Sequence, residues 1–342
     1  MILIDALYIN DGGGKILLDY LINNLEKTEI PVCYLLDKRV EHKIPIIKSS
    51  NKVFFRKASI VNRFKFYKQN IFTSIFCFGN IPPLQRNKSK TFTYFHNPMY
   101  LETPKEFLFV EKLLFQLKIL VIRYTKKNTN FWFVQSGYIK EKLRVKFNIQ
   151  PESIKILPFY NEFEKNSNSI KRERYGYIYV SNGTPHKNHN NLIESFCQFY
   201  DIHRIGKLTL TISNDYPKVI KLINEKIDLG YPIFNIGFVD KVTLSQHYQS
   251  SEYHIFPSLT ESFGLGLIEA LDSGCKVIGA DLPYTFEVCI PSIVFDPTNP
   301  QDIKRAFIES LSENVKESVP VIKNNISEII KIIQNNYAID KK

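Results

Sequence analysis

Glu261 and Glu269 stand eight residues apart in the stretch Tyr253 to Val288, and the second has no obvious outlet for its charge. Its neighbours are Leu265, Leu267, Ile268, Ala270 and Leu271. A buried carboxylate without a partner costs several kcal/mol or takes up a proton, so a cation, backbone donors or ligand hydroxyls must answer it. Hydroxyls are the preferred answer. Between the two acids Ser262, Phe263 and Gly264 open a helix, where backbone N–H groups and the helix dipole attract an anion and the glycine lets a phosphate come close. A diphosphate at the helix start, with one acid on either side, fits a nucleotide sugar.

The elements that must hold these groups are legible around them. Tyr253 to Phe256 is a short apolar run stopped by Pro257, Gly264 to Ser273 is apolar on almost every side, and Lys276 to Ala280 is a second run. That pattern is a βαβ unit with parallel strands and a right-handed crossover. Upstream, Tyr175 to Val180 begins a domain as a strand, and the loop Ser181 to His189, with Asn182, Gly183 and Lys187, precedes a helix from Asn190 to Tyr200. Leu208 to Ile212 and Phe234 to Val239 add strands; a short strand near Ile293 to Phe295, a helix from Pro300 and a last helical pattern near Val319 to Asn335 follow.

In the first half, Met1 to Ile9 reads as a first strand rather than a signal peptide, because it lacks a basic lead-in. Asp11-Gly12-Gly13-Gly14 then leads into a helical pattern, which is either turn chemistry or a place for an anion. Further apolar runs end in places such as His96, at the end of the strand Thr91 to Phe95, and strand ends of α/β sheets are where ligands collect. Phe107 to Tyr124 reads as a core helix. Pro158 to Arg174 loses periodicity, which divides the chain into a domain at 1–160, a second at 175–318 and a terminal helix at 319–342.

Glu261 and Glu269, with Ser262-Phe263-Gly264 between them and Ala270-Leu271 after, resemble the E-x7-E signature of the family 4 retaining glycosyltransferases. Asn235-Ile236-Gly237-Phe238-Val239, Pro257-Ser258, Gly274, Val277-Ile278 and Glu287-Val288 extend the resemblance. It implies an α/β fold of the GT-B class, with two Rossmann-like doubly wound domains facing a central cleft and the terminal helix crossing back to the first. It implies that Glu269 holds the ribose diol, that Glu261 with Phe263, Gly264 and Leu265 meets the sugar and its phosphate, and that Lys187 neutralises the diphosphate. Phe238 and Val239 would hold the base, His96 would reach the donor sugar, and Gly13 and Gly14 would face the cleft. Where relatives commonly carry an arginine six residues before this lysine, the chain has Ser181. The reaction implied is transfer from a UDP- or GDP-linked sugar to a glycan or lipid-linked glycan, with no metal and no cofactor. A sugar-nucleotide 2-epimerase of related fold is the alternative.

Composition narrows the rest. A hydrophobic content of 44% in 342 residues excludes disorder and suits two domains. Five cysteines are scattered without metal-ligand spacing, as expected of a reducing cytoplasm. Residues 1–160 hold 26 Lys+Arg against 12 Asp+Glu, whereas residues 161–342 hold 19 against 22. Such asymmetry favours an anionic partner for the first half. On charge alone that partner is nucleic acid or an anionic membrane; a basic aromatic segment in the same half favours the membrane, on the inner face of the cytoplasmic membrane where lipid-carried acceptors lie, with no nucleic acid. Val53 to Phe72, which interleaves Arg56, Lys57, Arg63, Lys65 and Lys68 with Phe54, Phe55, Phe64, Phe66 and Tyr67, is the expected membrane segment.

Overall fold

The computed structural model describes residues 1–86, 88–102, 109–162, 170–261 and 263–339. The chain forms two compact units, Met1–Asn161 with Lys323–Lys342, and Glu162–Ile322.

In the first unit seven parallel strands, β1 (Ile2–Ala6), β2 (Val32–Asp37), β3 (Lys52–Arg56), β4 (Ser74–Cys77), β5 (Lys90–Phe95), β6 (Phe131–Val134) and β7 (Ile154–Ile156), lie in the order β3-β2-β1-β4-β5-β6-β7. The helices α1 (Gly12–Leu25), α2 (Ile60–Gln69), α3 (Phe109–Thr125) and α4 (Gly137–Phe147) connect them. Strands β1, β2 and β4 are buried at every residue, which is why they are unbroken apolar runs in a sheet covered on both faces.

Two expectations fail here. Val53 to Phe72 is the edge strand β3 followed by α2, and Arg63, Phe66 and Tyr67 are buried. The Arg63 guanidinium pairs with Asp5 at 2.6 Å and donates to the carbonyls of Ile81 and Pro82, while the Tyr67 hydroxyl donates to the same carboxylate at 2.6 Å. These side chains serve the core, so the segment does not offer them to a membrane. Conversely, α3 buries Ile119 and Ile122 but leaves Phe109, Leu113, Leu117 and Leu120 in solvent, so it is not the core helix its composition indicates.

The second unit repeats the design. Strands β8 (Glu173–Tyr179), β9 (Lys207–Leu210), β10 (Ile233–Asn235), β11 (Ser251–Phe256) and β12 (Lys276–Ala280) are joined by α5 (His189–His203), α6 (Pro217–Asp228), α7 (Lys241–Ser250) and α8 (Leu265–Asp272). After α9 (Pro283–Val288) comes a short ladder, β13 (Cys289–Ile290) against β15 (Val319–Pro320), that the sequence patterns do not reveal. With β14 (Ile293–Phe295) the parallel sheet runs β10-β9-β8-β11-β12-β14, and α10 (Pro300–Glu309) covers it. The last helix, α11 (Ile326–Ile339), belongs to the first unit, held where Asn325 N donates to Pro158 O at 2.8 Å and Asn324 Nδ2 to Tyr160 O at 2.8 Å.

Each sheet reverses its strand order beside its first strand, between β1 and β4 and between β8 and β11. Connections leave such a point on opposite faces, so the carboxyl ends of the two strands open a crevice where ligands bind.

Candidate functional site

At the second unit's switch point the loops after β8 and β11 are tied to each other. Leu259 N donates to His186 O at 2.8 Å, Ser258 Oγ donates to the same carbonyl at 3.3 Å, and Tyr179 OH donates to Lys187 O at 2.9 Å. Asn188, at φ +62°, donates its amide to Pro257 O at 3.2 Å and Pro297 O at 2.7 Å. These bonds fix where Lys187 and Glu261 emerge. Lys187 Nζ forms an ion pair with Glu261 Oε1, both side chains half-buried. The acid expected on the sugar and the cation expected on the diphosphate therefore hold each other, and an incoming diphosphate must share that ammonium.

Helix α8 starts at Leu265 with Gly264 as its N-cap at φ +73°, a conformation that needs glycine. Phe263 is buried, and Ser262 lies outside the described residues. Glu269 follows one turn along. Its Oε2 accepts from Tyr248 OH at 3.2 Å, and loss of solvent pushes the carboxyl up to about 7 despite that bond. Among the described residues Glu269 forms no ion pair, and its second oxygen can accept from a further donor such as a ligand hydroxyl.

Asn182 Oδ1 accepts from Thr184 Oγ1 at 2.6 Å, and Gly183 is buried under the Tyr216 side chain. Phe238, in the loop after β10, is 91% exposed, and Val239 beside it is half-buried. Ser181 Oγ sits 3.1 Å from His189 Nε2, and burial lowers that histidine to about 3, so neither supplies the cation expected at this place.

The first unit gathers its own set. Gly14, in the first turn of α1, lies so near His96 that a Cβ there would be 3.0 Å from the ring's Cε1. Gly13 is exposed beside it. Asn80, at φ +66°, accepts from the backbone N–H of His96 at 2.7 Å and of Asn97 at 2.9 Å. His96 stacks on Phe78 at 5.0 Å, and burial lowers its pKa to about 4. Its Nε2 lies 3.3 Å from Phe78 O, which only accepts, and 3.4 Å from Asn80 Nδ2, which only donates, so that nitrogen is already engaged by the protein on either tautomer.

Tyr248, Asn80 and Asn188 escape sequence reasoning. Only the two asparagines leave a trace, as residues that tolerate a left-handed backbone before or after a regular element.

His96 at about 4, with His189 and His254 at about 3, stay neutral where the unfolded chain takes up protons, from pH 6.5 downward. Each therefore lowers stability by about 1.4 kcal/mol per pH unit between 6.5 and its folded value. Glu269 acts oppositely, since a folded carboxyl near 7 binds its proton before the unfolded one at 4.5 and offsets one of the three. The urea midpoint is expected to fall between pH 6.5 and 5; an unchanged midpoint contradicts these burials.

Residues 161–328 match the family model described as glycosyl transferases group 1. The O-antigen chain mannosyltransferase RfbU of Salmonella typhimurium is 24% identical over 223 residues, 65% of this chain and 59% of that protein. The chain spans about half the length of the curated relatives it matches. Among solved structures, sucrose-phosphate synthase from Thermosynechococcus elongatus superposes with a TM-score of 0.73 at 17% identity, covering 98% of this chain and 94% of that one. Anabaena HepE, solved with UDP and glucose, gives 0.67 at 11% identity, covering 100% and 98%.

Proposed function

From the premise that this chain belongs to the glycosyl transferases group 1 through residues 161–328 and has the GT-B fold, we propose that it moves a sugar from a nucleoside-diphosphate donor to a hydroxyl of a glycan or lipid-linked glycan. The supporting observation is the convergence of Lys187, Glu261, the amino end of α8 and Glu269 at one switch point.

In this reading the diphosphate meets the α8 N–H groups and Lys187, whose ammonium it shares with Glu261. Glu261 then turns an oxygen to the sugar hydroxyls, Glu269 accepts from the ribose diol, and the exposed Phe238 ring stacks on the base with Val239 alongside. His96 offers its Nδ1 to a substrate hydroxyl at the first unit's switch point. The bond from the anomeric carbon to phosphate breaks, the bond to the acceptor oxygen forms on the same face, and the leaving diphosphate takes the acceptor's proton. Charge on that leaving group falls to Lys187 and the helix dipole, so turnover is expected to survive EDTA. RfbU, a mannosyltransferase of O-antigen chains, supports surface polysaccharide assembly as the setting.

Screening UDP-, GDP- and ADP-sugars for a concentration-dependent rise in Tm identifies the donor class. No rise with any of them, or an epimer formed from donor alone, contradicts the reading. With the donor found, its affinity is expected to climb from pH 6 to 8, by at most about tenfold per unit below the Glu269 value of about 7, because the ionised carboxylate is the better acceptor. Sugar-nucleotide phosphates do not titrate there, and Glu269→Gln is expected to flatten the profile.

A further inference from the structure

Helix α3 carries two apolar faces, and among the described residues one of them is packed in the core while the other is exposed. Ile119 and Ile122 seat it in the core beside Trp132 and Ile139. Phe109, Leu113, Leu117, Leu120 and Tyr124, spaced by four, four, three and four residues, form a second stripe that is between 51% and 81% exposed. At 1.5 Å per residue the 17 residues of α3 make it about 25 Å long. An unbroken apolar strip of that length is uncommon on the surface of a lone soluble domain.

Charge identifies what covers it. On the α3 helix Lys118 borders the stripe on one side and Arg123 on the other, both exposed, with the Lys118 ammonium 5.0 Å from the Phe115 ring. Directly after the helix, Lys127 joins Arg86, Lys88 and Lys90 around a cleft with no carboxylate among its lining residues. None of these four cations forms a salt bridge among the described residues. Asn128 donates to the carbonyls of Pro83 at 2.9 Å and Leu84 at 3.1 Å, which holds the two basic loops together at the end of the stripe. No described helix is long and apolar enough to cross a membrane; an apolar helix face bordered by cations is of the kind that lies along one.

We propose that the exposed face of α3 and the basic cleft at its carboxyl end form one docking surface for an anionic lipid bilayer. The apolar stripe enters the boundary between headgroups and acyl chains, Lys118 and Arg123 reach back to the phosphates, and the cleft takes lipid headgroups. A protein or glycan partner matches this pattern less well, because an apolar strip edged on both sides by cations that form no salt bridge among the described residues mirrors a planar, negatively charged, oily surface. This goes beyond the transfer reaction and does not depend on it.

The test is flotation of the full chain with vesicles of phosphatidylcholine alone or mixed with phosphatidylglycerol, at low and high salt. The wild type is expected to float with the anionic vesicles and to be released by salt. A triple change Leu113→Ser, Leu117→Ser, Leu120→Ser is expected to abolish flotation at every salt concentration. Lys88→Gln, Lys90→Gln, Lys127→Gln together are expected to weaken it by roughly fivefold per cation removed and to flatten the salt dependence. All six positions are exposed or line an open cleft, and an unchanged thermal melt checks that both variants fold. Equal flotation by wild type and triple serine variant, or none by the wild type, overturns the proposal. So does a concentration-dependent dimer that the serine changes dissolve, since a second copy would then be the occupant.

Discussion

Lys187→Ala is expected to lower kcat by roughly 10²–10³-fold, the cost of removing one preorganised charge from a developing anion. At the place where a second cation is expected stand Ser181 and the neutral His189, so neither of them replaces the lysine. Glu261→Gln is expected to be damaged to a similar degree, yet for a different reason. It keeps the side chain's size and loses both the grip on the sugar hydroxyls and the restraint on the ammonium. Because the two groups form one ion pair, their effects should be strongly non-additive, with the double variant little worse than either single one. Steady-state rates on the donor found by screening decide it, with circular dichroism as the check on folding. Near-normal rates in both single variants remove these residues from the chemistry.

The largest expected loss of stability lies far from that pair. Asp5 and Arg63 are almost fully buried, at 1% and 2% exposure, and hold each other at 2.6 Å while Arg63 ties down the loop at Ile81 and Pro82. Removing one partner strands the other's charge, which costs about 3–5 kcal/mol. Asp5→Leu and Arg63→Met should each lower the urea midpoint by that equivalent, whereas the double change should recover much of it, since an apolar pair leaves no stranded charge. Single variants within about 1 kcal/mol of wild type would mean that the pair is solvated in solution.

How much of this was open to a reader of the sequence depends on whether the determining contact is local. The βαβ unit from β11 to β12 is legible because parallel strands buried on both faces are unbroken apolar runs, and because Gly264 and Gly274 punctuate the helix between them. The need of Glu269 for a partner is equally legible, being a property of its immediate neighbours. Tyr248, which meets it, comes from α7, and no spacing rule links the two. Residues 53–72 mislead because alternating basic and aromatic residues look alike on a membrane-bound helix and on an edge strand followed by a core-seated helix. Only Asp5, 58 residues before Arg63, explains why that cation is inside. Helix α3 misleads in the opposite sense, since a mostly apolar run conceals that, among the described residues, one of its apolar faces is packed and the other exposed. The glycine loop gains meaning only when folding sets Gly14 against His96.

In the proposed complex Glu269 grips the pentose of a nucleoside diphosphate while its phosphates lie at the start of α8. Calorimetric titration of UDP and GDP, each with and without its ribose hydroxyls, into wild type and Glu269→Ala tests this as a thermodynamic cycle. For the nucleotide that binds, deleting the diol is expected to cost the wild type about tenfold or more in affinity and the variant almost nothing. The same loss in both proteins would mean that some other residue holds the ribose, and the proposed orientation of the nucleotide would be wrong.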